Sequence, residues 1–263
     1  VSLLANNAAL RQRLAAGETA CGAWVTLYDP AVTEIMAGSG LDWVLVDTEH
    51  APFSQENLAN VIMAFAGTPA VALIRVGWND QTIIKTCLDL GFGGVLVPQV
   101  NTVEEARRAV AACRYPPEGT RGFGPRRASE YGRSMDAYVR LANRTILAGL
   151  QIESIRAVND AEHILGVEGL DFAFLGPMDL AASLGRLETP EHPDVLQAME
   201  HVIAVAAARQ IPIGVPLPAD ASPETVLAWA DKGSRLLSIG VDLGFMMNAL
   251  TQTLNQLRGR MSA

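Results

Sequence analysis

Short, uninterrupted apolar runs rich in β-branched residues recur through this chain, each followed by a longer stretch of helical periodicity. The runs are Gly22–Leu27, Trp43–Val46, Ala70–Val76, Gly94–Val97, Ile146–Ile152, Asp171–Leu175, Ile211–Val215 and Leu236–Ile239. They are continuous rather than alternating, as strands covered on both faces must be. Eight runs in 263 residues leave about 30 residues per unit, the size of one strand plus its crossover helix.

The intervening stretches carry helix signals. Asp29-Pro30 supplies a cap followed by proline in the first turn, and the pattern ends at Gly38. Ser54–Ala66 opens on a capping serine and carries Leu58, Val61, Ile62 and Phe65 as its apolar stripe. Thr102-Val-Glu-Glu105 is a capping-box pattern, and Ser222-Pro-Glu-Thr225 starts another helix by the same logic. No linker rich in Pro, Gly or Ser divides the chain. The predicted fold is therefore one (β/α)8 barrel over residues 1–263. A doubly wound open sheet is the rival, but Leu27-Tyr-Asp-Pro30 lacks the glycine-rich loop such a sheet carries after its first strand.

Composition removes several function classes. A net charge of −8 with 6% aromatic residues argues against nucleic acid, which needs a basic face. No apolar run approaches the roughly 20 residues of a membrane span. Val1–Gly17 places Arg11 and Arg13 after its apolar residues, the wrong order for a secretory signal. Cys21, Cys87 and Cys113 are odd in number and widely spaced, which predicts free, buried thiols and a reducing cytoplasm.

In a barrel the active site gathers at the C-terminal ends of the strands. The second run leads into Asp47-Thr-Glu-His50, the third to Arg75, the fourth to Pro98-Gln99 and the fifth to Gln151-Ile-Glu153. The sixth leads to Gly176-Pro-Met-Asp179, the seventh to Pro216 and the eighth to Asp242. A lone carboxylate at a strand end often only caps the next helix. Several at one mouth repel one another unless something binds between them. Glu153 and Asp179 close adjacent strands and are the candidate ligands of a hard divalent cation, Mg²⁺, Mn²⁺ or Co²⁺. His50 is the candidate general base, with Asp47 or Asp89 as the partner that fixes its tautomer. Arg75 is placed to stabilise developing negative charge. Gly176 allows close approach to the backbone, Pro177 has no N–H, and the amides near Met178 suit a substrate carboxylate.

Lysine usage bears on mechanism. Among 20 basic residues only Lys85 and Lys232 are lysines, and neither ends a strand. A Schiff-base aldolase needs a lysine at the rim, so metal-assisted enolate chemistry is expected instead. The stretch from Arg114 to Asn143 is unusually long and holds Arg121, Arg126, Arg127 and Arg133. Long loops in compact domains are often functional. Arg126 or Arg127 is expected to bind a carboxylate of the aldehyde fragment or a neighbouring subunit.

The motifs Asp47-Thr-Glu-His50-Ala-Pro, Leu73-Ile-Arg75, Arg114-Tyr-Pro-Pro117 with Arg121-Gly122, Gln151-Ile-Glu153-Ser and Gly176-Pro-Met-Asp179-Leu resemble the HpcH/HpaI aldolase family. The resemblance covers almost the whole chain. It implies a metal held by Glu153 and Asp179, and retro-aldol cleavage of a 4-hydroxy-2-oxo acid to pyruvate, or hydroxypyruvate, and an aldehyde. It implies a His50–Asp89 dyad and Arg75 on the 2-oxo oxygen. Gln151 would lie beside the metal with Asp47 behind it, and the amides near Gly176 and Met178 would hold the carboxylate. Trp24 and Leu217 fall where they could shape the aldehyde side. Family members assemble as hexamers, trimers of dimers, in which a neighbour closes the pocket. The stretch Phe245–Leu257 could be exchanged with that neighbour or pack within its own subunit. A decarboxylase of oxaloacetate type on the same site is the alternative activity. A non-catalytic oxo-acid sensor is a further one, disfavoured because sensing needs no base beside a metal.

Overall fold

The computed structural model describes residues 3–261, so residues 1, 2, 262 and 263 of the predicted domain lie outside the described residues. Eight strands form one closed parallel barrel: β1 (Ala20–Val25), β2 (Trp43–Asp47), β3 (Val71–Arg75), β4 (Gly94–Val97), β5 (Leu147–Ile152), β6 (Phe172–Leu175), β7 (Ile213–Val215) and β8 (Leu236–Val241). They neighbour one another in chain order, and β8 pairs back onto β1 across a register shift between Gly22 and Trp24. Eight helices sit in the first part of the chain: α1 (Leu3–Ala15), α2 (Pro30–Gly38), α3 (Gln55–Met63), α4 (Gln81–Leu90), α5 (Val103–Ala112), α6 (Met135–Thr145), α7 (Ile155–Asn159) and α8 (Ala161–Ile164). After them come α9 (Pro177–Ser183), α10 (Pro193–Ala208), α11 (Pro223–Asp231) and α12 (Asp242–Met261). None of the described helices is long and apolar enough to cross a membrane.

The caps act as their residue types dictate. Ser54 and Asn57 bond reciprocally in a capping box. Thr102 accepts the Glu105 N–H, but Glu105 turns its carboxylate to the Asn101 N–H instead of the cap. Asp80 accepts from Thr82 and Ile83.

Two apolar layers follow from the strands' alternation. One fills the space between sheet and helices. The other fills the barrel, with Trp43, Phe172 and Phe174 stacked edge-on around Leu45, Leu73 and Leu96. Glycines make room for these rings. A Cβ at Gly22 would fall 2.0 Å from Trp43, one at Gly149 2.2 Å from Phe172 and one at Gly214 2.4 Å from Phe174. The helix α1, for which the sequence gave no expectation, plugs the strands' N-terminal end with Leu10 and Leu14.

Three expectations change. Part of the long Arg114–Asn143 connection is helical, since α6 begins at Met135. Cys21, expected to be buried, is exposed, whereas Cys87 and Cys113 are buried, and that burial pushes their thiols up to about 12 and about 11. The strand expected over Gly22–Leu27 ends at Val25, because the Thr26 and Leu27 N–H groups leave the sheet to donate to Asp242 (2.9 and 2.8 Å).

Candidate active site at the C-terminal rim

Asp47 and Arg75 end adjacent strands and are register partners. The guanidinium makes a two-pronged contact, Nε to Oδ1 at 2.9 Å and Nη2 to Oδ2 at 2.7 Å. Its remaining nitrogen, Nη1, donates to Gln151 Oε1 at 3.4 Å and forms an ion pair with Glu49 Oε2 at 3.1 Å. Trp24 lies beneath it, 4.8 Å from ring centroid to guanidinium carbon, and Ser238 fixes the indole by accepting its N–H at 3.1 Å. Burial alone would lower the Arg75 pKa. The Asp47 bonds and the charges of Asp47, Glu49 and Glu153 outweigh it and raise the value, so Arg75 stays charged.

Glu153 is buried just past the end of β5, two strands on from Arg75. Its Oε1 accepts the Gln99 N–H at 2.6 Å, and its Oε2 accepts from Gln151 Nε2. Gln151 therefore bridges Arg75 and Glu153. Gln99 points its N–H into the site because its backbone is left-handed, with φ 55°, an uncommon state for a non-glycine residue. Desolvation, with Glu49 and Asp179 nearby, pushes the Glu153 carboxyl up to about 7 despite these donors. The same burial, plus Asp47 and Asp179, raises the Glu49 carboxyl against the pull of Arg75.

Space around Glu153 depends on Gly176, where a Cβ would stand 2.5 Å from Glu153 Oε2 and 2.8 Å from Gln151 Nε2. The Gly176 N–H donates to the Ile152 carbonyl at 3.1 Å, so this amide is not available to an anion as expected. Pro177 opens the short α9, which leaves the Met178 and Asp179 amides in its first turn. The Met178 side chain is exposed. Trp24, Asp47, Arg75 and Leu217 line one cavity of about 220 Å³, together with Thr26 and Val241.

Three carboxylates, Asp47, Glu49 and Glu153, thus act on one guanidinium, and Asp179 stands near Glu49 and Glu153. Among the described residues no group of three or more His, Cys, Asp or Glu side chains is arranged to hold a metal. The candidate is a two-carboxylate site, Glu153 with Asp179, completed by solvent or substrate oxygens. That donor set fits a hard divalent cation.

His50 stands at the rim's edge, its side chain 63% exposed, with Nε2 3.9 Å from Glu49 Oε2. Asp47 Oδ1 accepts its backbone N–H at 3.4 Å rather than its ring. The structure does not bring Asp89 to His50 within one chain. Asp89 is the next-to-last residue of α4, which starts at the rim and descends about 12 Å to the barrel's other end. There it pairs with Arg121 at 2.7 Å. Arg127 also lies at that end, donating to the carbonyls of Leu90 and Ile62 at 3.1 Å each. It holds the last turns of two helices, away from the rim of its own barrel. Glu49 is the rim residue the sequence reading passed over. Strand alternation was the available signal, since residues 45, 47 and 49 point to one face.

This arrangement is that of a barrel enzyme with its active site at the C-terminal rim, and the relatives it matches are carbon–carbon lyases. The sequence profile of the HpcH/HpaI aldolase/citrate lyase family matches residues 20–249, and the chain belongs to that family. It is 41% identical over 242 residues to the 5-keto-4-deoxy-D-glucarate aldolase of Salmonella paratyphi A, covering 92% of this chain and 93% of that protein. A family member from Burkholderia cenocepacia J2315 superposes with TM-score 0.90 at 32% identity, covering 95% of this chain and 99% of the other. The citrate synthase SbnG superposes with TM-score 0.85 at 28% identity, covering 97% and 99%.

Proposed function

We propose that the protein is a divalent-metal-dependent aldolase that cleaves a 4-hydroxy-2-oxo acid to pyruvate, or hydroxypyruvate, and an aldehyde. The observation that carries this reading is the carboxylate excess around Arg75, with the buried Glu153 pushed up to about 7. The likeness to an aldolase of a keto-deoxy sugar acid supports a polyhydroxylated substrate.

Glu153 and Asp179 would hold the cation, and when bound it supplies a Lewis acid for the substrate's carboxylate and 2-oxo oxygens. Arg75 remains charged beside that oxygen and receives the negative charge as it develops. Asp47 holds the guanidinium flat and in register. His50 removes the C4 hydroxyl proton, the C3–C4 bond breaks, the aldehyde leaves, and C3 of the remaining enolate takes up a proton. Trp24 and Leu217 bound the space beside Arg75 and limit the aldehyde's shape.

His50 lacks a carboxylate acceptor for its ring other than the 3.9 Å contact to Glu49. Asp89 lies at the opposite end of the barrel, so a His50–Asp89 pair forms only between two copies packed rim to base. A head-to-base contact that closes by rotation makes a ring. The helix α12 supports a second contact, because only Asp242 of its residues is buried while Leu243, Met246, Met247, Leu250, Leu254 and Leu257 are exposed. We therefore propose a trimer of dimers with α12 docked on, or exchanged with, a neighbour.

The test starts from chelator-treated protein given pyruvate and a panel of aldehydes, with Mg²⁺, Mn²⁺ or Co²⁺ then added. Adduct is expected only with metal, and Glu153→Ala is expected to abolish the response. Chelator-insensitive turnover, or a borohydride-trapped adduct, would overturn the reading. For the assembly, inactive His50→Ala and Asp89→Ala proteins are unfolded, mixed and refolded together. Recovered activity supports dyads shared between copies, and none recovered opposes them.

A further inference from the structure

Arg121 is the most buried charge in the molecule, with a side chain 0% exposed. Its Nη2 donates to Asp89 Oδ1 at 2.7 Å and to the Tyr138 hydroxyl at 3.1 Å. The guanidinium is sandwiched between Tyr115, 4.5 Å from the ring centroid, and Tyr138, 5.8 Å away. Its Nε and Nη1 are buried with no hydrogen-bond partner. An arginine in this state is an expensive way to fill space. Burying a guanidinium against one carboxylate costs about as much as it returns, and each unpaired N–H adds a further penalty. An apolar side chain of similar volume would serve packing better.

What Arg121 does hold is one edge of Asp89. That carboxylate keeps 19% of its side chain exposed, although its partner has none. With Oδ1 occupied, Oδ2 is left on the side facing Gly124, where a Cβ would approach it to 3.3 Å. The segment that carries the guanidinium is itself fixed, since the Arg121 N–H donates to the Arg114 carbonyl at 2.8 Å. We propose that Arg121 is a positioning residue for catalysis. It holds Asp89 in a single rotamer, so that Oδ2 can receive the ring N–H of another copy's His50. The tyrosine sandwich keeps the guanidinium from swinging away. The inference rests on the reading above that Asp89 serves a neighbour's histidine, and Arg121 itself touches no substrate.

The test compares Asp89→Asn, Arg121→Met, Arg121→Lys and the double variant Asp89→Asn/Arg121→Met in metal-loaded enzyme of unchanged oligomeric state. Asp89→Asn is expected to lower retro-aldol kcat on the order of 10²-fold with little change in KM. Arg121→Met is expected to do the same. The double variant is expected to be no slower than Asp89→Asn alone, because both act through one group. Arg121→Lys, which keeps the charge, is expected to recover part of the loss. If Arg121→Met fails to assemble, Arg121→Lys against Asp89→Asn carries the comparison. Arg121 variants with wild-type kcat, or losses that multiply in the double variant, would overturn the proposal while leaving the dyad intact. Wild-type kcat in Asp89→Asn would remove the dyad reading and this inference together.

Discussion

At the rim of the barrel Arg75 reaches four groups across the mouth, Asp47, Glu49, Gln151 and the face of Trp24, and Asp47 and Trp24 line the rim cavity with it. At the base Arg114 donates to the carbonyls of Ile146 and Gly169 and pairs with Asp171, while Arg127 holds the carbonyls of Leu90 and Ile62. The residue type is the same and the work differs. The rim arginine meets carboxylates that outnumber it, so negative charge is in excess at the mouth. At the base, Arg127 meets the carbonyls of two helix ends and Arg114 meets carbonyls and the Asp171 carboxylate, so their charge is spent on closing the fold. The direction of the neighbouring helix decides which end of its own barrel such a residue occupies, and it puts Arg127 with Asp89 at the base.

The comparison breaks most readily at Arg75. Arg75→Lys keeps a positive charge but loses the two-pronged contact with Asp47. A drop in kcat of about 10²–10³-fold is expected from steady-state kinetics, with a smaller change in KM. An unaffected kcat would mean that the rim arginine, like those at the base, is only a brace.

Next in size is the pH dependence of stability at the rim. The Glu153 carboxyl is raised to about 7 from its ordinary 4.5, so between those values the folded state holds a proton that the unfolded chain has released. Stability of chelator-treated protein should then fall as pH rises from about 4.5 through about 7, by about 3 kcal/mol from this group. Glu153→Gln should lack that part of the slope. Urea unfolding at several pH values measures it, and an identical slope in the variant would refute the assignment.

The smallest effect belongs to the base. Arg127→Met removes two hydrogen bonds to helix-end carbonyls and should lower stability by about 1–3 kcal/mol. Its kcat/KM values for acidic and neutral aldehydes should change by the same factor. A selective loss with acidic aldehydes would restore the substrate role first expected of Arg127.

Much of the barrel was legible because buried parallel strands need continuous apolar runs, and those runs located each strand to within a few residues. The ends were less legible. The first strand stops early because Asp242, more than 200 residues away, takes the Thr26 and Leu27 amides. At the site, Asp47, Arg75, Gln151 and Glu153 were legible as strand-end residues, and their mutual bonds agree with that reading. The Gln99 amide was not, because a left-handed backbone leaves no mark in residue type when the residue is not glycine. That Asp89 and Arg127 lie at the base of their own barrel was not legible, because nearness in sequence to a strand's end says nothing about which way the following helix runs.

The rings of Trp43, Phe172 and Phe174 and the glycines opposite them have a consequence for how the sequence can change. A single methyl group added at Gly22, Gly149 or Gly214 meets an aromatic ring inside contact distance. Neither half of such a pair can drift alone, since enlarging the glycine demands a smaller ring and shrinking the ring leaves a void. The barrel's axis is thereby frozen as a set of joint choices, while the loops above it remain free to be rewritten one residue at a time.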